Sequence, residues 1–203
     1  VTIGQPPVVD AGPDQTVCAS SPAVFLAGSV TNATGGTWSG GLGTYTPGPN
    51  NLLIVYTPTA AEISSGSVTM TLTSTGAGGG CTDGTDDMTI FFSDTVFVNP
   101  SYAAISCKGD VTTLDANATG GTAPYLYSWS TGASTSSIGV SAGTYSITVS
   151  DVYGCSATSS INVSEPPAIV LSMSSNNTST DIACDGTASV SIAGGAGPYT
   201  VEW

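Results

Sequence analysis

Val68-Thr69-Met70-Thr71-Leu72-Thr73 decides the fold. Apolar side chains alternate with threonines, so Val68, Met70 and Leu72 point to one side and the hydroxyls to the other. A period of two is the signature of a strand with one buried and one wet face. Met88-Thr89-Ile90-Phe91-Phe92 continues the pattern, as do Tyr145-Ser146-Ile147-Thr148-Val149 and Ile161-Asn162-Val163. β-Branched Thr, Val and Ile suit that pleated surface. Helical signal is nearly absent. Thr59-Ala60-Ala61-Glu62-Ile63, after Pro58, reads as a single turn closed by Gly66. Gly, Asn and Pro punctuate the strands at Thr34-Gly35-Gly36, Pro47-Gly48-Pro49-Asn50, Gly120-Gly121 and Gly154. Short strands with frequent turns predict an all-β chain of immunoglobulin-like antiparallel sandwiches.

The composition narrows what such a chain does. Among 203 residues there is one Lys or Arg, there are 14 Asp and Glu and no His, and the formal net charge is -13. A phosphate backbone is bound by Lys and Arg that displace counterions, and only Lys108 is available. Nucleic acid is therefore not an expected partner, and an anionic membrane surface would repel the chain. No apolar run approaches the ~20 residues that span a bilayer. A Gly- and Ser-rich chain can lack a core, but 40% of the residues are hydrophobic and lie in alternating runs, so we expect folded domains.

The cysteines and a repeated motif divide the chain. Gly120-Gly121-Thr122-Ala123-Pro124-Tyr125-Leu126-Tyr127-Ser128-Trp129 matches Gly194-Gly195-Ala196-Gly197-Pro198-Tyr199-Thr200-Val201-Glu202-Trp203. The Trp lies eight positions after the second Gly in both, which marks tandem copies of one folding unit. Gln5-Pro6-Pro7, Asn99-Pro100 and Glu165-Pro166-Pro167 read as stiff joints, because Pro fixes φ and removes a donor. Boundaries near 94 and 166 give three blocks in a linear array, 1–94, 95–166 and 167–203.

Five cysteines in a Ser/Thr-rich, Lys-poor chain fit an oxidising, extracellular compartment. Zinc is disfavoured, since there is no Cys-x-x-Cys pair and no His. Many pairings are open. The expected ones close each block on itself, Cys18–Cys81 and Cys107–Cys155, because each pair brackets one strand-rich segment. Cys184 then opens a third copy. By the Trp129-to-Cys155 spacing its partner is expected about 26 residues past Trp203.

Residues able to carry chemistry are few. General acid–base work at neutral pH most often uses His, which is absent, and Ser has no base beyond Lys108. The carboxylates are scattered over turns, so no glycosidase pair stands out and no enzyme activity is expected. Asp10 and Asp14, with Asp83, Asp86 and Asp87, form two acidic turns that could offer oxygens to calcium; the alternative is that they are solvated turns. No other cofactor is expected. Trp38, Trp129 and Trp203 each follow a Gly-Gly pair. Rows such as Tyr125, Tyr127 and Trp129 stack on sugars in some proteins but more often form a sandwich core. Phe91, on the other face of its strand, is the better contact candidate. Asn32, Asn117, Asn162, Asn176 and Asn177 fit the N-x-S/T pattern, a match that chance supplies often in so Asn-, Ser- and Thr-rich a chain.

One stretch carries a family likeness. Gly120-Gly121-Thr122-Ala123-Pro124-Tyr125, then Ser141-Ala142-Gly143-Thr144-Tyr145-Ser146-Ile147-Thr148-Val149-Ser150-Asp151, Gly154-Cys155 and Glu165-Pro166-Pro167 resemble the SprB repeat of large surface proteins of Bacteroidetes. Asp185-Gly186 and Gly197-Pro198-Tyr199 look like the first half of another copy. Asp10-Ala11-Gly12-Pro13-Asp14, Gly35-Gly36-Thr37-Trp38-Ser39-Gly40 and Tyr56-Thr57-Pro58 resemble PKD-like, immunoglobulin-type modules. The resemblance implies a type IX-secreted adhesin or filament at the outer cell surface, of the sort associated with attachment and gliding motility. It also implies an O-glycan at Thr95 within Asp94-Thr95-Val96.

Partners expected on this reading are neighbouring repeats, other copies in a filament, and surface polysaccharide or substratum, engaged through many weak contacts. The competing function is a carbohydrate-binding region of a secreted polysaccharide-degrading protein, with Tyr125 and Trp129 as its sugar contacts.

Overall fold

The computed structural model describes residues 4–177, 179–180 and 184–202. The chain forms two compact units. The first holds the described residues through Phe97, together with Ala118–Leu126 and Val149–Ala157; the second holds Val98–Asn117, Tyr127–Thr148 and the described residues from Thr158 onward.

The first unit begins with β1 (Val8–Asp10), β2 (Gln15–Cys18), β3 (Val24–Ala27), β4 (Ser29–Thr31), β5 (Gly35–Ser39), β6 (Thr44–Thr46) and β7 (Leu53–Thr57). Helix α1 (Ala60–Ser65), β8 (Ser67–Thr75) and β9 (Thr85–Ser93) follow. One sheet runs β2-β9-β8-β5 and another β3-β7-β6, while β1 pairs with β4. The alternation read from sequence sets the register: Met70 lies opposite Met88, Thr69 opposite Thr89 and Val68 opposite Ile90. Met70, Leu72, Met88 and Ile90 from one sheet join Val24, Leu26, Ile54 and Tyr56 from the other in a single buried core with Trp38. Two sheets sharing one core make the expected sandwich. The ladders are antiparallel except that β2 runs parallel to β9, which sets Cys18 beside Ser93.

The turn at Thr59 is a capped helix. The Thr59 side chain accepts from the Glu62 backbone, Glu62 reaches back to the Thr59 backbone, and Gly66 closes the end in the left-handed conformation at φ 86°.

Further along lie β10 (Phe97–Val98), β11 (Ser101–Tyr102), β12 (Thr112–Asp115), β13 (Ala118–Thr119), β14 (Leu126–Trp129), β15 (Ser137–Val140), β16 (Gly143–Ser150) and β17 (Ser156–Val163). The sheets here are β11-β12-β15 and β14-β16-β17, while β10 pairs with β13. Leu114, Trp129, Ile147 and Val163 are buried, in keeping with the alternation of β16 and β17. The last pair, β18 (Val170–Asn176) and β19 (Thr187–Ala193), forms an antiparallel ribbon whose first strand is exposed along its whole length.

Candidate functional site: the Asp151 and Cys18–Cys155 anchor

The turn between β16 and β17 reads Asp151-Val152-Tyr153-Gly154-Cys155, and its residues belong to the first unit. Asp151 shapes it. Its Oδ1 accepts from the backbone N–H of Tyr153 and of Cys155, both at 2.9 Å. An Asp that bonds the backbone ahead of it closes a turn without help from other elements. Gly154 supplies the left-handed residue at φ 82°. Asp151 Oδ2 then accepts from Ser93 Oγ at 2.9 Å and from the Thr122 backbone N–H at 3.0 Å. The carboxylate is only 2% exposed. Burial alone would raise its pKa, but the bonds from Thr122, Ser93, Cys155 and Tyr153 outweigh it and hold the group below the usual carboxylate range. A Cβ on Gly121 would sit 2.6 Å from Val96 and 3.1 Å from the carboxylate, so the backbone's approach needs glycine there.

The turn is also covalently fixed. Cys155 is bonded to Cys18, with Cα atoms 5.4 Å apart and a sequence separation of 137. Both expected pairings, Cys18–Cys81 and Cys107–Cys155, are therefore corrected. The reason lies in the β2–β9 register. Cys18 sits beside Ser93 at the end of β9, whereas Cys81 precedes the start of that nine-residue strand. Nine residues of strand span about 30 Å, and a disulfide joins Cα atoms about 4.4–6.8 Å apart. Cys81 instead lies by the Gly4 carbonyl, and Cys81, Cys107 and Cys184 are free thiols.

A second buried carboxylate braces the same sandwich from helix α1, whose cap Gly66 accepts from the Phe92 N–H next to Ser93. Glu62 Oε1 accepts from Tyr56 Oη at 2.6 Å and from the Leu42 N–H at 2.7 Å, and Oε2 accepts from the Thr59 N–H and Oγ1. Burial again opposes the charge, but the bonds from Tyr56, Thr59 and Leu42 lower its pKa to about 2. Tyr56 is pushed upward by burial and by donating to that carboxylate.

The acidic turns are not gathered into a metal cluster. Asp10 accepts from the Gly12 N–H, Asp86 from the Ala11 N–H, Asp14 from the Thr89 N–H and Asp83 from Ser74 Oγ. Asp87 lies on β9 opposite Thr71. Among the described residues no three His, Cys, Asp or Glu side chains lie close enough to hold an ion. Trp38 and Trp129 are in the core, their indole N–H groups donating to the carbonyls of Leu52 and Thr135. Trp203 lies outside the described residues. Tyr125 Oη donates to the Gly120 carbonyl, and Tyr45 and Tyr199 repeat this bond to Gly40 and Gly194. Phe91 is 44% exposed and borders a shallow depression with Thr16, Ser93, Thr122 and Tyr153. Thr95 is half-buried before β10. Asn32 and Asn117 adopt left-handed turns and donate their side-chain N–H to Pro6 and Asn99 carbonyls.

Sequence reasoning passed over both buried carboxylates. Thr59-x-x-Glu62 was readable as a capping box. Asp151 is signalled by Asp-x-x-Gly-Cys, but its donor Ser93 is 58 residues away.

A family model described as the SprB repeat matches residues 105–134. No curated protein matches the chain. Among solved structures, the N-terminal eight Ig domains of Down Syndrome Cell Adhesion Molecule align at TM-score 0.55 and 11% identity, over 84% of this chain and 25% of that one. Sidekick-1 immunoglobulin domains 1–5 align at TM-score 0.47 and 10% identity, over 94% of this chain and 46% of that one. The chain thus spans about a quarter to a half of these structures. No helix among the described residues is long and apolar enough to cross a membrane. The chain is an immunoglobulin-like β-sandwich protein that is similar, over one segment, to a SprB repeat.

Proposed function

We propose that this chain is a structural and adhesive repeat segment of a large extracellular surface protein, acting as a stiff spacer in attachment. The divisions 1–94, 95–166 and 167–203 are its repeats. Type IX secretion, a role in gliding, contacts with other copies or with polysaccharide, and a glycan on Thr95 belong to the same reading. The observation that carries it is the long-range bridge. A chain pulled from its two ends transmits load through Cys18–Cys155 and spares the residues between them. That is a use for a disulfide in a load-bearing array.

Single-molecule stretching tests the reading. Fully unfolded, the oxidised chain should be shorter than the reduced one by roughly 450–490 Å, the extended length of the 137-residue separation. Equal lengths would reject the load path. A glycan array addresses the sugar-binding alternative. Binding abolished by Tyr125→Ala with the fold intact would favour that alternative.

A further inference from the structure

The anchor around Asp151 is built twice, and the second copy is open. In the first copy, a Cβ on Gly120 would lie 2.2 Å from the Thr95 carbonyl oxygen, and one on Gly121 would lie 2.6 Å from Val96 Cγ2. In the second, a Cβ on Gly194 would lie 2.0 Å from the Ala168 carbonyl oxygen, and one on Gly195 would lie 2.6 Å from Ile169 Cγ1. The same Gly-Gly turn thus embraces the same backbone position. What differs is the cover: Val96 is 2% exposed beneath the Asp151 turn, and Ile169 is 60% exposed.

The cysteines follow the same duplication. Cys18 accepts at its carbonyl from Ser21 N–H and precedes a strand with buried Leu26; Cys107 accepts from Asp110 N–H and precedes a strand with buried Leu114. Ser93, which ends β9 and holds Asp151, corresponds to Ser164, which follows β17 and is exposed. Cys107 is an exposed thiol on a cavity of about 560 Å³ that it shares with Pro167, Ala168, Ile169 and Gly195. At the equivalent place in the first unit, Cys18 carries its partner.

We propose that this cavity is a covalent docking site for the Asp-x-x-Gly-Cys turn of a further repeat. The turn's Asp would enter the Gly194-Gly195 cradle and its Cys would bond Cys107. Two thiols lose two protons and two electrons to a disulfide oxidant such as oxidised glutathione, which leaves as two thiols. Successive repeats are then stapled entry cysteine to closing cysteine, one module ahead. The proposal takes the source of the turn from the repeat reading, but its readout is the position of a bond and not adhesion or stiffness.

The test is a chain in which residues 1–166 are followed by a second copy of 95–166, oxidised in glutathione buffer and mapped by peptide mass. The expected bridges are Cys18 to the first copy's Cys155, and the first copy's Cys107 to the second copy's Cys155. Cys107 left reduced, or bonded within its own copy, overturns the proposal. The 203-residue chain gives an independent answer with the peptide Val-Ser-Asp-Val-Tyr-Gly-Cys-Ser-Ala. The adduct should favour Cys107 over Cys81 and Cys184 by at least about tenfold, as a built site raises the local concentration. Asp→Asn in the peptide should erase that preference. Equal labelling of the three thiols overturns the proposal.

Discussion

The β8–β9 hairpin and the β18–β19 ribbon carry the same alternation and meet different fates. Met70 and Leu72 sit opposite β9 and are fully buried. Met173 lies opposite Val190 and Leu171 opposite Ile192, yet Met173 is 75% exposed and Leu171 61%. A period of two therefore fixes which side chains share a face, and a second layer decides whether that face is dry. In the first unit the β3-β7-β6 sheet supplies the layer; among the described residues the ribbon has none.

The largest effect should come from the bridge that closes the first unit. Cys18→Ser should lower stability by about 4–5 kcal/mol in the chain-entropy account, read by urea unfolding of its tyrosine and tryptophan signals. Hydrogen exchange of the ribbon should be unchanged by it. If both regions loosen together, the contrast between them fails. Next, Leu72→Ala should cost about 3 kcal/mol and Met173→Ala within about 0.5, because one opens a cavity and the other changes a solvated surface. Equal losses would mean that the ribbon is covered in solution. Asp151→Asn places an N–H₂ group among donors that need acceptors, and should cost about 2 kcal/mol. A smaller, graded effect comes with acid. Glu62 titrates near 2 when folded against 4.5 in the unfolded chain, so its contribution is whole above about pH 4.5 and fades as pH falls toward 2. Glu62→Gln should flatten that part of the pH–stability curve while leaving ribbon exchange as it was.

Much of this contrast was open to reading and part of it was not. Strand faces, the helix from Thr59 to Gly66 and the buried Trp38 and Trp129 follow from local pattern, since period and capping act over a few residues. The cysteine partners do not. They depend on β2 lying parallel to β9, a pairing across more than 70 residues that alternation does not encode. Bracketing cysteines in sequence was a poor guide because the two ends of one strand-rich segment can sit at opposite ends of a sheet. Asp151 eluded reading for the same reason. Its turn is local and legible, but the Ser93 hydroxyl that makes it an anchor arrives from another block.

The chain has one basic residue, Lys108, exposed in the turn after Cys107. A protease that cleaves after Lys or Arg therefore has a single bond to cut, Lys108–Gly109. That bond falls between Cys18 and Cys155, so the two fragments of an oxidised molecule stay covalently joined. A nicked strand of this material would keep its continuity until something reduced it.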